Sequence, residues 1–303
     1  MIRTVVGSTA LVLLCVSPWA CSPEASEEAP PEAAAAGEAE EPPPFETTQV
    51  AEGVWQFRWQ AHNGLFVDTP EGTVVVDPIS TEAAATFVEE IRATVGDQPL
   101  LAVVYSHRDA DHATGAEVIR AALGPDAPVV AHENALAPLQ QAGDPDLPPP
   151  DVTYTDEMVL AESSRPVVLS HPGPSHSDDQ SVVLVPDVGV AFAVDFVSLD
   201  RVGYQELPGW HMPGQLDAIR HLLGLEFETM VFGHGPIGDK AAIERQLAYY
   251  EALAGVVTRA IEDGLTEDEA AESVRLDDFA SWGQYEEWFP LNVRGMYRLL
   301  SEG

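Results

Sequence analysis

The chain has 303 residues, with 14 lysines and arginines against 50 aspartates and glutamates, a formal net charge of −36 at pH 7. Such acidity argues against nucleic acid as a partner and gives no long-range attraction for anionic substrates. Its two cysteines, Cys15 and Cys21, both lie near the start, so the remainder has neither a thiolate metal ligand nor a disulfide.

Arg3 precedes an apolar run from Val5 to Val16 that is short for crossing a bilayer and is followed by small residues, the pattern of a secretory signal. Ser17-Pro18-Trp19-Ala20-Cys21 resembles a bacterial lipobox in setting Ala20 before Cys21, with Pro18 where leucine is usual. Residues 1–21 therefore read as a signal peptide of lipoprotein type, with Cys21 lipidated. A soluble secreted protein cut nearby is the alternative. Residues 22–44 hold seven glutamates and no basic residue among alanine, proline and serine, a composition that cannot bury a core and should stay an extended, disordered linker. The expected location is the bacterial cell envelope, facing the periplasm or exterior, with membrane contact only through the lipid anchor. Residues 45–303 still carry 43 acidic and 13 basic side chains and are long enough for one large domain.

Strand-like apolar runs follow at 53–58, 64–68, 73–77, 100–105, 129–131, 167–169, 181–185, 190–194 and 229–232. Thr81 to Val95 reads as a helix, apolar at Ala85, Phe87, Val88 and Ile91, and Ala116 to Leu123 as a shorter one. Chemistry gathers where four of these runs end. His107, Asp109, Asp111 and His112 put four potential metal ligands into six positions between a strand and a helix. Imidazole and carboxylate together suit divalent zinc, manganese or iron. Alone, this loop could be a polar turn with Asp111 as a helix cap. Yet His176 follows another apolar run, Asp195 closes 190–194, and His234 sits in Gly233-His234-Gly235 after 229–232. Capping accounts poorly for ligand types at so many strand ends.

These residues resemble the metallo-β-lactamase superfamily, whose pattern is His-x-His-x-Asp-His, a distal histidine after a glycine-containing turn, a bridging aspartate and a final Gly-His. The resemblance covers roughly residues 48–240. It implies one metal on His107, Asp109 and His176 and another on Asp111, His112 and His234. Asp195 would bridge them, and Asp111 would also be catalytic, orienting the nucleophile. Asp77 matches an acidic residue that the family sets behind the metal loop; a strand-ending turn residue is the other reading. Two positions depart from the pattern. Asp109 stands in place of the second histidine, and Val194 precedes the bridging aspartate where glycine is common. With Asp109, Asp111 and Asp195 ionised, two divalent ions are left with a net +1 rather than the usual +2. That acidifies bound water less and favours harder ions. The implied cofactors are two divalent metal ions, zinc first, with manganese or iron competing. A weak first site with one working metal, or lost activity, is the competing reading.

The resemblance also implies an α/β fold, an αββα sandwich over residues 45–240. Helices within 241–303 would pack on the same domain, including Lys240 to Asp263, one opened by the capping box Thr266 to Glu269, and Glu286 to Leu300. Their apolar faces could instead serve a homodimer. The lack of a cysteine ligand, with His112 and Asp195, looks more like the glyoxalase II, lactonase and phosphodiesterase branches, although no basic cluster suits glutathione. His171 is a candidate for supporting the metals. Tyr204, Trp210 and His211 lie where the superfamily often contacts substrate. His62 falls in a hairpin turn by composition, a loop that can overhang the metals in related folds, while His132 and His221 carry no motif. The implied activity is attack by a metal-bridging hydroxide on a small ester, lactone or thioester. The alternatives are a mononuclear iron oxidoreductase of the sulfur-dioxygenase type and a non-catalytic lipoprotein that binds a metal or ligand.

Overall fold

Alternation along the strands sorts this chain into layers. The computed structural model describes residues 44–161 and 164–301, so the expected signal peptide, Cys21 and the linker up to residue 43 lie outside the described residues. Seven strands form one sheet in sequence order: β1 (Phe45–Ala51), β2 (Val54–Trp59), β3 (His62–Thr69), β4 (Gly72–Val76), β5 (Leu100–Val104), β6 (Val129–His132) and β7 (Val152–Tyr154). The first four pair antiparallel as hairpins, and β4 to β7 pair in parallel. Parallel neighbours need crossovers. Two of these carry the helices α1 (Thr81–Val95), α2 (Ala110–Ala113) and α3 (Ala116–Leu123), and α4 (Leu136–Ala142) precedes β7.

The second sheet has the order β12-β11-β10-β9-β8, from β8 (Glu157–Ala161), β9 (Val167–Ser170), β10 (Val182–Val185), β11 (Val190–Ala193) and β12 (Thr229–Phe232). The parallel pair β11 and β12 is joined through α5 (Met212–Gly224). Three helices close the chain: α6 (Lys240–Glu262), α7 (Glu267–Ser273) and α8 (Tyr285–Ser301).

Because successive strand residues face opposite sides, each buried strand feeds two cores. Leu65 and Val67 of β3, Val74 and Val76 of β4, and Val104 of β5 pack between the sheets against Val183, Phe192 and Val231. Their neighbours Phe66, Val75 and Val103 pack outward with Phe87, Ile91 and Ile119 of α1 and α3. On the far side Ala191, Met230 and Phe232 meet Ile219, Tyr249, Leu253 and Val293 from the later helices. Helix, sheet, sheet, helix is therefore the order of layers, the αββα sandwich, with the C-terminal helices covering the second sheet.

Local signals fix the helix starts. Ser80 caps α1, its Oγ accepting from Ala83 N at 3.0 Å, a bond whose loss costs about 1 kcal/mol. The box expected at Thr266 is present, with both reciprocal bonds to Glu269. Elements not singled out in the sequence are β1, β7, β8, α2, α4 and α5. Glu46, Glu157 and the exposed Val152 and Val159 give the extra strands too little apolar contrast. α5 opens with Pro213 and Gly214, which read as a turn.

Candidate metal centre

The centre is built at one edge of the sandwich, from loops that leave strand ends and from one hairpin. β5 runs into Ser106 and His107, and this loop is bonded to the end of β4. Ser106 donates its backbone N–H to Asp77 Oδ1 and its hydroxyl to Asp77 Oδ2, each at 2.7 Å. Asp77 is fully buried and left-handed, φ 53°, a conformation aspartate tolerates better than most residues. Its Oδ2 also lies 3.2 Å from His112 Nδ1.

This network assigns imidazole tautomers. The Ser106 proton goes to Asp77, so Ser106 Oγ accepts from His107 Nδ1 at 3.0 Å. His112 Nδ1 faces the Asp77 carboxylate, and His234 Nδ1 donates to the Ala61 carbonyl at 2.9 Å. His107 and His234 thus place a proton on Nδ1 toward the scaffold and turn Nε2 inward, the orientation a metal ligand requires, while His112 turns its Nδ1 to the Asp77 carboxylate.

The inward atoms converge in two groups, His107, Asp109, His176 and Asp195 in one and His62, Asp111, His112 and His234 in the other. Within each group the donor atoms all lie within 4.8 Å of one another. Asp195 faces both. Its Oδ2 is 3.4 Å from His107 Nε2 and 3.5 Å from His176 Nε2, while its Oδ1 is 3.0 Å from His234 Nε2 and 3.7 Å from His112 Nε2. Asp109 Oδ2 is 3.2 Å from His176 Nε2, and Asp111 Oδ2 is 3.2 Å from His62 Nε2.

These residues fit divalent cations. His107 Nε2 is buried and has no hydrogen-bond partner. The Nε2 atoms of His112 and His234 stand 3.3 Å apart, close enough to share one proton or one cation. Without a cation, protons balance the charge. Burial would lower the His107 and His234 pKa values, but the facing carboxylates overcome it and raise both. Burial would raise Asp195, yet His107 and His234 hold it well below the usual carboxylate range. His107 and His176 similarly lower Asp109, and His62 lowers Asp111. A bound ion would replace those protons.

A cavity of about 450 Å³ opens over both groups, lined beside them by Val197, Ser198, Arg201, Tyr204 and Tyr250. Tyr204 is half exposed there. Trp210 is buried, edge-to-face with His176 at 5.9 Å, and is absent from the lining. His211 is the exposed cap of α5, accepting from Gly214 N at 3.2 Å. His171 joins neither donor group; it stacks on His132 at 3.8 Å, with Nδ1 2.7 Å from the Gln180 carbonyl. His221 lies 3.0 Å from Ser170 Oγ.

Three further residues contribute, and of these the sequence marks only His62, through a loop that can overhang the metals in related folds. His62 enters the second group from the β2–β3 hairpin. Buried Asn63 donates to the carbonyls of Phe232 and Gly235, both at 2.8 Å, which ties that hairpin to the loop bearing His234. Arg201 is the cavity's one lysine or arginine; its guanidinium lies over the Trp288 ring at 4.7 Å.

Comparison with known proteins agrees with this architecture. The model of the metallo-beta-lactamase superfamily matches residues 57–234. The chain belongs to that superfamily. Among solved structures, the metallo-beta-lactamase from Pontibacter korlensis is 23% identical with a TM-score of 0.58, covering 68% of this chain and 99% of that one. One from Erythrobacter litoralis is 22% identical, also at 0.58, covering 69% of this chain and 97% of its own. A curated relative, the 2,4-dinitroanisole O-demethylase subunit beta of Nocardioides sp. (strain JS1661), is 28% identical over 72% of this chain and 67% of its own length. In this metallo-β-lactamase fold the unusual Val194 has a structural partner. A Cβ added at Gly233 would stand 2.4 Å from Val194 Cγ1, so the glycine before His234 makes room for the valine before Asp195.

Proposed function

We propose that this chain is a metal-dependent hydrolase acting on a small ester, lactone or thioester. The observation that carries the reading is the Asp195 carboxylate, one oxygen toward each donor group, beneath a cavity of substrate size. Divalent ions held by His107, Asp109, His176 and Asp195, and by Asp111, His112 and His234, would supply a Lewis acid and water acidified enough to attack at neutral pH.

The chain's own residues do the rest. Asp111 is kept ionised by His62 and is exposed to the cavity, so it can accept a proton from the attacking water and orient it. Asp77 holds Ser106, Ser106 accepts from His107 Nδ1, and His112 Nδ1 faces Asp77, so the rings are oriented before an ion arrives. Arg201 keeps its charge in the cavity despite burial and offers a partner for an electronegative or anionic substrate group. The relative's printed reaction, O-demethylation, breaks a carbon–oxygen bond, as ester and lactone hydrolysis do. Lipidation of Cys21 would hold the enzyme at the bacterial envelope.

The test is a screen of lactones, esters and thioesters with metal-loaded protein, repeated with Asp111→Ala. The variant should retain its melting temperature and lose at least about 100-fold in kcat/KM. Turnover that survives both Asp111→Ala and chelation would remove the metal-dependent mechanism, and no turnover of any of these substrates by metal-loaded protein would remove the hydrolase reading.

A further inference from the structure

We propose that His62, on the β2–β3 hairpin, is itself a metal ligand and completes a set of four protein donors at the second ion. Resting on the metal-centre reading above, it extends the set of Asp111, His112 and His234 with a residue from a different part of the fold.

The hairpin is held in place for this. His62 and His234 form an isolated antiparallel bridge, and Asn63 N donates to the Gly233 carbonyl at 2.8 Å. The Ala61 carbonyl accepts from His234 Nδ1, and Asn63 Nδ2 bonds the carbonyls on either side of the Gly233-His234 pair. Residues 61–63 thus support one ligand and carry another. The His62 ring lies edge-on to His234 at 4.7 Å and to His112 at 5.5 Å, and its Nε2 is 3.2 Å from Asp111 Oδ2. Its donor atom lies within 4.8 Å of those of Asp111, His112 and His234.

Donor count gives the two positions different characters. His62, Asp111, His112 and His234 already make four protein ligands, the number that closes a tetrahedral site, before Asp195 is added. The other group reaches four only by including Asp195. The position bearing His62 should therefore fill first and exchange slowly, leaving the His107, Asp109 and His176 position to open toward substrate.

The experiment is a zinc titration of chelator-stripped protein against a competing indicator, with wild type, His62→Ala and His62→Gln, and the visible spectrum of cobalt added at one equivalent. Wild type should show two affinities. Both variants should weaken the tighter one at least tenfold and leave the weaker within twofold, which also reports that they are folded. The cobalt band should shift in His62→Ala and return on adding imidazole. A tighter affinity unchanged within twofold in either variant, or a cobalt spectrum indifferent to the substitution, overturns the proposal. Wild type that binds no zinc overturns it together with the metal-centre reading. Loss of the tighter site in a protein that hydrolyses nothing supports the ligand and rejects only the hydrolase.

Discussion

Asp109 is the residue at which this centre departs most from its superfamily's pattern, and its position makes the departure testable. Its carboxylate meets His176 at 3.2 Å in the group where the pattern has an imidazole, so it adds a negative charge without leaving the ligand position. Asp109→His should raise zinc affinity and lower the pH optimum, since a more positive centre acidifies water further. If neither changes, Asp109 does not bind metal. Protonation gives a second prediction, for the metal-free protein. Asp109 and Asp195 have folded pKa values below 3.8, so the stability they contribute is present above that value and lost as pH falls through the folded values. His107 and His234 are raised above 6.5, so their contribution is present below that value and lost as pH rises through the folded ones. Thermal melts of chelated protein should peak between about pH 4 and 6.5, and metal should abolish the alkaline decline because it needs deprotonated ligands. A chelated protein whose melting temperature keeps climbing above pH 7 would contradict this. Ligand types at strand ends made His107, Asp111, His112, His176, Asp195 and His234 readable in the sequence as a set. His62 was readable only as part of a loop that can overhang the metals and not as a ligand, because a histidine in a turn looks the same whether it faces solvent or a metal. Arg201 carries no local pattern at all.

Among the elements, the β2–β3 hairpin and the loops after β11 and β12 decide where the ligands stand. Asn63 makes its bonds to backbone carbonyls 169 and 172 positions away, a relation that no short-range pattern encodes. The buried central strands were readable because their apolar runs are nearly unbroken. The edge strands were not, since β1 and β8 carry exposed Glu46 and Glu157 and β7 is only three residues long. The contact of Gly233 with Val194 joins two of the site's loops. Gly233→Ala should destabilise the fold by about 1–3 kcal/mol through overpacking. Adding Val194→Ala should restore most of it, as urea denaturation would measure. A neutral Gly233→Ala would mean that this approach does not constrain the loops.

At the scale of the molecule, three cores stack in the order that strand alternation imposes, and the site lies where strand ends from both sheets meet. The layered fold was legible through motif and periodicity together: periodicity supplied strands and helices, while the motif supplied how two sheets face each other. The helices after β12 cover the second sheet with Tyr249, Leu253, Phe289 and Val293. What joins sequence, fold and chemistry is the pair of donor groups, each with the ligand types of a divalent ion. Elemental analysis of the purified protein by inductively coupled plasma mass spectrometry tests that most directly. About two equivalents of zinc, manganese or iron per chain are expected, and no bound metal even after incubation with each ion would contradict a two-ion centre.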